Sequence, residues 1–427
     1  MTTIIEDIRA RRIWDSRGRP TVEVDVRLTS GVRGRGVAPA GASRGSNEAI
    51  DLRDGGTRFG GWDVEKALAG IRGEINKALI GQDATDQRSI DETLIALDGT
   101  PNKSRLGGNA TVAVSMAVLR AAAAADGKPL WRYLADGRPI RLPLPEVQIF
   151  GGGAHAGRRV DIQDFLVMPV GARSFSEALE MVWRVYAQAG ELLALKGPLT
   201  GVADEGGYWP NFDNNEEALT LLARAIEASG YRNGEVMISL DIAASEFHAN
   251  GLYTLGLEGK TYDTGAWIDV LAGWISRFPI QSIEDPVGES DHDGMVEFTR
   301  RFGDKLQIIG DDYLVTSAQR VHAAQEAGAC NAVLLKVNQC GTVTETLEAF
   351  EAAKEKGWGT IVSARSGETE DTFISDLSAG LDAGQLKVGS FTRSERMAKW
   401  NQILRMEDVL GDKAVFAGRS ALPEAIR

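Results

Sequence analysis

The sequence has 427 residues, of which 43% are hydrophobic and 25% are charged, a composition that excludes a small disulfide-stapled fold and a mainly disordered chain. The formal net charge of −13 repels polyanions, so we expect no nucleic acid partner. Two cysteines, Cys330 and Cys340, are too few for a secreted disulfide framework and favour a reducing compartment.

The amino-terminal segment, residues 1–18, carries charges every few positions, which is typical of neither a signal peptide nor a membrane anchor. The longest small-residue run, residues 117–125, is interrupted by Arg120 and is too short to span a bilayer. We therefore expect a cytoplasmic protein with no membrane partner.

Residues 3–40 have the pattern of antiparallel strands. In the segment TVEVDVRL, Val22, Val24, Val26 and Leu28 alternate with charged residues, as in a sheet with one buried face. Helical segments follow this sheet. Strands followed by separate helices indicate a small α+β domain.

The clearest of these helices is predicted at residues 111–125. Asn109 is a candidate N-cap, and Gly127 with Pro129 are stop signals. Three prolines in residues 138–145 then interrupt the pattern. We therefore predict an amino-terminal domain over 1–137 and a second domain over 138–427.

The second domain alternates short β-branched segments with amphipathic helices, for example the helix predicted at 216–229. The segments recur at a spacing that fits one strand and one helix per unit. This favours an α/β barrel, although spacing alone leaves a doubly wound sheet open. The predicted strands are 164–169, 236–241, 281–285, 306–311, 331–336, 359–363 and 386–390.

Ionisable residues stand at the ends of four of these apolar strands. Asp241, Glu284 and Asp311 would meet at one barrel mouth and offer the oxygen ligands that Mg²⁺ prefers. Lys336, beside that cation, is expected to lose its proton more easily and to act as a general base. Lys387 is suited to neutralising a substrate carboxylate. The alternative is that these residues are solvated loop acids, helix caps and surface lysines.

Long motifs recur along nearly the whole chain. They are DSRGRPTVEVDV (15–26), GASRG (41–45), LDGTPNKSRLGGNA (97–110), HAG (155–157), DEGG (204–207), SLDIAASEF (239–247), SIEDP (282–286), GDD (310–312), LLKVNQCGT (334–342), RSGETED (365–371) and RSERMAKWNQ (393–402). In this order, these motifs resemble those of the enolase family. The resemblance implies an amino-terminal α+β capping domain on an eight-stranded, TIM-like α/β barrel, assembled as a homodimer or a larger assembly of dimers.

The resemblance also assigns roles to residues of the site, with two Mg²⁺ ions expected. It implies that Lys336 takes the α-proton and that Glu205, paired with Asp164, helps the β-hydroxyl to leave. The implied ligands of the first Mg²⁺ are Asp241, Glu284 and Asp311, and Ser43 helps to hold the second. Further implied contacts are Lys387 with the substrate carboxylate, Arg365 and Ser366 with phosphate, and His155 and Gln163 lining the pocket.

Several positions depart from the family's pattern in the half of the site that handles the leaving group. Ala364 replaces a histidine, Asp164 replaces a glutamate, and Gly151 replaces an asparagine. In the loop before Gly45, Ala40 and Arg44 replace serine and threonine, so Arg44 would add a cation against the substrate. Tyr208 and Trp209 stand where phenylalanine and alanine are common, and either ring is a candidate for stacking on a planar group.

Three functions follow from these observations. The first is dehydration of a small phosphorylated three-carbon acid, 2-phosphoglycerate or a close analogue, to a phosphoenolpyruvate-type product. The second is a reaction like that of carboxyphosphonoenolpyruvate synthases, with a nucleotide-activated phosphonoformate as the second substrate in an enlarged pocket. The third is a non-catalytic, enolase-like binding protein, which the intact acidic triad and lysine disfavour.

Overall fold

The predicted amino-terminal strands form an antiparallel sheet in a computed structural model, which describes residues 2–199, 201–209, 211–232 and 234–426. The sheet has the order β1-β2-β3, with β1 at Ile5–Trp14, β2 at Pro20–Leu28 and β3 at Arg33–Val37. The alternating residues of β2, from Val22 to Leu28, are buried as the pattern predicts.

Five helices follow the sheet, and a single π-helical turn at Ile71–Ile75 joins the first two. Their bounds are α1 Glu65–Gly70, α2 Asn76–Leu79, α3 Gln87–Asp98, α4 Gly108–Ala125 and α5 Leu130–Ala135. Among the described residues, α4 alone has the length and composition to cross a membrane, and 83% of it is buried within the protein. It packs closely on β3, where a Cβ at Gly34 would lie 2.2 Å from the Ala117 carbonyl oxygen.

The predicted start of α4 is wrong. The helix begins at Gly108 rather than Thr111, and Gly107 precedes it as the N-cap. The side chain of Asn109 lies inside the first turn. Its Oδ1 accepts the Leu52 N–H at 3.2 Å, and its Nδ2 donates to the Leu52 carbonyl at 3.1 Å. Its amide therefore connects a loop to the helix instead of capping it.

Eight strands of the remaining chain close into a barrel, which confirms the barrel over a doubly wound sheet. The closed order is β11-β12-β13-β14-β15-β5-β6-β7. The strands after β3 are β4 Arg141–Leu142, β5 Leu144–Gly151, β6 Asp164–Met168, β7 Met237–Asp241, β8 His248–Ala249, β9 Leu252–Leu255, β10 Lys260–Asp263, β11 Ile280–Glu284, β12 Gln307–Gly310, β13 Ala332–Leu335, β14 Gly359–Ser363, β15 Gly384–Gly389 and β16 Val415–Phe416.

Helices pack around the outside of this barrel. The helix predicted at 216–229 is α7, and its Leu219, Leu222 and Ile226 are buried as expected. The helices are α6 Phe175–Ala194, α7 Asn215–Ala228, α8 Thr264–Arg277, α9 His292–Phe302, α10 Ala318–Ala327, α11 Val337–Cys340, α12 Val343–Lys354, α13 Phe373–Leu381 and α14 Ser394–Leu410.

The barrel differs from the sequence-based expectation in two strands. The strand β5 was not predicted, because its Pro145 belongs to the proline-rich segment that indicates a domain boundary. The strand β6 runs antiparallel to both neighbours, whereas the other barrel pairs are parallel. The first residue of β6, Asp164, therefore lies level with Asp241, the last residue of β7.

The amino-terminal helices cap a helix of the barrel. The hydroxyl oxygen of Ser115 accepts the Val343 N–H at 2.9 Å, and the carboxylate of Asp91 accepts the Thr344 N–H at 2.9 Å. These are N–H groups of the first turn of α12, which have no partner within that helix. Two residues of the first domain thus complete the hydrogen bonding of an element in the second.

Candidate active site

The predicted acidic residues meet at one mouth of the barrel, as the strand-end pattern indicates. Glu284 ends β11 and lies directly beside Asp241 at the end of β7. Lys387, in β15, reaches both carboxylates, with its Nζ at 2.8 Å from Asp241 Oδ2 and 2.6 Å from Glu284 Oε2. All three side chains are buried.

The pKa values of these two carboxyl groups are shifted in opposite directions. Burial, followed by the neighbouring charge of Asp241, raises the pKa of Glu284 well above its usual value. Burial also disfavours the charged form of Asp241, but the adjacent ammonium of Lys387 lowers the pKa of Asp241 overall. The second oxygen of Glu284, Oε1, is buried without a hydrogen-bond partner among the described residues.

Lys336 and Asp311 form a second buried ion pair at the same mouth. Lys336 follows β13, and its Nζ contacts Asp311 Oδ2, while Gln339 Nε2 donates to Asp311 Oδ1 at 2.8 Å. The expectation that Lys336 loses its proton more easily beside a bound Mg²⁺ stays a prediction. Burial opposes the charged form, but the carboxylate of Asp311 raises the pKa of Lys336 above its ordinary value.

The carboxylates at this mouth are of the kind that bind a divalent cation, although the predicted triad of Asp241, Glu284 and Asp311 is not among the groups whose ligand atoms all lie within 4.8 Å of one another. Carboxylates on three strand ends offer several oxygens, and the unpartnered Oε1 of Glu284 is one that a cation would satisfy. A further carboxylate group, formed by Asp285, Asp311 and Asp312, brings ligand oxygens within 4.8 Å of one another. Within it, Asp285 accepts the N–H groups of Asp311 and Asp312 at 2.9 and 2.7 Å, so its role is to hold this turn.

A histidine lies between two acids on the opposite side of the pocket. His155 Nδ1 is 3.1 Å from Asp164 Oδ1, and its Nε2 is 3.9 Å from Glu205 Oε1. Burial opposes protonation of the ring, but the charges of Asp164 and Glu205 raise the pKa of His155 to about 9. Burial likewise raises the pKa of Glu205. The His155 ring can therefore hold a proton at neutral pH beside Glu205, as an acid for a leaving group requires.

A loop of the first domain closes over the mouth. The guanidinium of Arg365 donates to the Ser43 carbonyl at 3.0 Å and forms an ion pair with Glu48 at 3.0 Å. The buried hydroxyl of Ser366 has no hydrogen-bond partner within the described part of the chain. The Ser366 hydroxyl is therefore free to bond a ligand, whereas the Arg365 guanidinium is already engaged by Glu48 and Ser43. Arg44 is exposed and does not line the pocket, so its predicted substrate contact is absent from this arrangement.

The pocket enclosed by these residues is small in this closed arrangement. About 20 Å³ of it is open to the centre of a water molecule, room for roughly one or two waters. A ligand larger than a few waters does not fit the pocket in this arrangement. The lining includes Ser43, His155, Gln163, Asp164, Glu205, Asp241, Lys336, Ala364, Arg365, Ser366 and Lys387.

The residues that depart from the family's pattern lie in different parts of the structure, and only some of them line the pocket. Ala364 lines the pocket, where it presents a methyl group in place of the family's histidine. Tyr208 is not available to a ligand, because it stacks on Tyr186 with ring centroids 4.3 Å apart. Trp209 is 40% exposed, and its ring covers Gly157, where a Cβ would lie 3.2 Å from Cζ2. Of the two aromatic candidates, only Trp209 is exposed, and it is not among the residues that line the pocket.

Sequence reasoning missed several residues that hold the site together. Gln148 donates to Asp164 from β5, the strand that was not predicted. Gln339 stands in the motif LLKVNQCGT, so that motif contained a signal. Glu48 follows the GASRG motif by three positions, and its pairing with Arg365 has no periodic signature.

Comparison with known families assigns both parts of the chain. A family model described as the enolase C-terminal TIM barrel domain matches residues 139–425. A second model, described as the enolase N-terminal domain, matches residues 5–134. The two matches together cover almost the whole chain.

Proposed function

Because the chain belongs to the enolase family, a family of enzymes, we propose that it is a Mg²⁺-dependent lyase acting on 2-phosphoglycerate or a close analogue. The reaction is abstraction of the α-proton followed by loss of the β-hydroxyl, which gives a phosphoenolpyruvate-type product. One observation carries the proposal: Lys336 and Glu205, a base and an acid, line the same buried pocket.

The residues divide the reaction between two sides of the pocket. Lys336 Nζ takes the α-proton, while Lys387 balances the charge of the substrate carboxylate. On the other side, Glu205 gives its proton to the departing hydroxyl, and His155 beside it carries a further proton. Arg365 and Ser366 bind the phosphate, for which Arg365 must exchange its present partner Glu48.

Asp241, Glu284 and Asp311 would hold the first Mg²⁺, and Ser43 would help to hold the second. When bound, the cations supply the positive charge that makes an α-proton beside a carboxylate acidic enough to remove. Because Asp311 holds the proton on Lys336, the base becomes available when the charge of Asp311 is engaged elsewhere. Assembly as a homodimer, or as a larger assembly of dimers, is part of this proposal.

The test separates proton abstraction from elimination. Purified protein with Mg²⁺ and 2-phosphoglycerate is assayed for product and for exchange of the α-hydrogen with solvent deuterium. Lys336→Ala is expected to abolish both, whereas Glu205→Gln abolishes elimination and spares exchange. Lys305→Ala, an exposed lysine beside β12, is the control. Exchange at the wild-type rate in Lys336→Ala would contradict the assignment of the base.

The smaller side chains on the acid side of the pocket favour a second candidate, a carboxyphosphonoenolpyruvate synthase-like reaction. Ala364 and Asp164 both line the pocket, and both have smaller side chains than the family pattern. The double variant Ala364→His with Asp164→Glu discriminates the two candidates. It is expected to raise 2-phosphoglycerate turnover if the substrate is the small acid. It suppresses use of a cytidylylated phosphonoformate if the space serves that larger partner.

A further inference from the structure

Gln148 lies beneath the acid side of the pocket and has no role in the reaction proposed above. Its side chain is fully buried in β5, and its Nε2 donates to Asp164 Oδ1. Its Oε1 accepts the Gly207 N–H at 2.7 Å. One amide therefore connects Asp164, on β6, with the loop that carries Glu205.

The backbone fixes which way this amide points. The Gly207 N–H can only donate, so it requires Oε1 on its side and leaves the NH₂ group facing the Asp164 carboxylate. A rotated amide would place two acceptors against each other. The surrounding glycines are necessary for this fit, because a Cβ at Gly207 would lie 2.5 Å from Gln148 Oε1 and one at Gly151 would lie 2.4 Å from the Ala203 Cβ.

The two oxygens of Asp164 are consequently unequal. Oδ1 accepts from Gln148 and lies 3.1 Å from His155 Nδ1. Oδ2 is buried without a hydrogen-bond partner among the residues the structure describes, and it lies 3.9 Å from Lys387 Nζ. The free oxygen is therefore the one directed toward the cation-rich side of the pocket.

We propose that Gln148 is a positioning residue of the elimination step: it turns Asp164 so that Oδ1 holds His155 and Oδ2 stays free, and it ties this carboxylate to the loop of Glu205. The inference rests on the proposed function for its kinetic consequence. Its structural consequence, the ion pair between Asp164 and His155, is independent of the substrate.

The kinetic test compares Gln148→Leu with wild type. Elimination is expected to fall by about 10²-fold, the cost of a small misplacement of an acid group, while α-proton exchange by Lys336 stays within a factor of about two. Gln281→Leu removes another glutamine of the barrel, at the opposite end from the mouth, and is expected to change neither rate. Equal loss of exchange and elimination in Gln148→Leu would overturn the proposal.

A second variant supplies a rescue. In Gln148→Glu the new carboxylate opposes Asp164 at high pH and depresses elimination. As the pH falls and the new carboxyl gains its proton, its O–H can donate to Asp164, and elimination is expected to recover relative to wild type. A ratio of variant to wild-type elimination that is independent of pH would overturn the proposal.

Proton NMR of the ring protons keeps the structural claim testable if 2-phosphoglycerate is not a substrate. The chain has four histidines, and His155 faces Asp164, Glu205 and Asp241 from three elements. In Gln148→Leu, the pKa of His155 is expected to fall toward its ordinary value. An unchanged pKa of His155 would contradict the inference, whereas failure of the wild-type protein to turn over 2-phosphoglycerate would contradict only the proposed function.

Discussion

The single residues of this site act through paired charges rather than in isolation. Lys336 and Lys387 each contact a carboxylate, and His155 lies between two. In a buried environment such a pair is stable only while both members remain, because an unpaired buried charge costs several kcal/mol. The ion pairs that stabilise the mouth of the barrel therefore also set the protonation of each candidate catalytic residue.

His155 gives a prediction about pH and stability. Its pKa is raised from 6.5 to about 9 in the folded protein by Asp164 and Glu205, although burial opposes the charge. A raised pKa means that the folded state holds the proton more tightly, so this stabilisation is complete below about pH 6.5 and is lost as the pH rises through about 9. Urea unfolding from pH 6 to 10 should show a shallower decline in His155→Gln than in wild type.

Other buried groups bear on this measurement. Burial and the charge of Asp311 raise the pKa of Asp285 to about 8, which also weakens the fold as the pH rises. Only the difference between wild type and His155→Gln reports His155 itself. Identical pH dependence in both proteins would show that the ring is neutral in the folded state.

Individual strands explain which parts of the site sequence reasoning found. Asp241, Glu284 and Asp311 follow apolar parallel strands, so their convergence could be predicted from the strand ends. Asp164 is the first residue of its strand, and it reaches the same mouth only because β6 is reversed. Local periodicity does not report strand direction, and Asp164 was therefore found from the family resemblance alone.

The first turn of α12 gives a prediction at the level of one element. Asp91→Ala removes the acceptor of the Thr344 N–H and hydroxyl, at 2.9 and 2.7 Å, and leaves both buried donors unpaired. We expect a loss of about 2 kcal/mol in the free energy of unfolding. Asp86→Ala, which removes the exposed N-cap of α3 within its own domain, should cost about 1 kcal/mol. An equal loss in both variants, measured by urea unfolding, would show that the contact between domains adds nothing.

The whole molecule depends on contacts between its two parts. Arg120 of α4 binds Asp371 of the barrel through two hydrogen bonds of 2.6 and 2.7 Å, and Glu48 pairs with Arg365 inside the site. The first domain therefore contributes residues to the site and also stabilises the loop that follows β14. Pairing across such sequence distances leaves no local pattern, so the contacts between domains were not predictable from the sequence.

Binding of Mg²⁺ should stabilise the whole molecule, because the mouth gathers more carboxylates than lysines. Any ligand that binds only the folded state adds RT ln(1 + [L]/Kd), about 2.7 kcal/mol at a hundredfold excess over Kd. We expect Mg²⁺ to raise the unfolding midpoint of wild type and EDTA to reverse the rise. Asp311→Asn should abolish the shift.

Glu146→Gln is the matched control for this measurement, because it also removes a fully buried carboxyl from the barrel interior. Glu146 contacts Ser239 and Gln307 rather than the carboxylates of the mouth, with its Oε2 accepting the Ser239 hydroxyl at 2.8 Å. The variant should therefore keep the full Mg²⁺-dependent shift, whatever its own stability. A shift that survives in Asp311→Asn, or that disappears equally in Glu146→Gln, would mean that the cation stabilises the protein from another place.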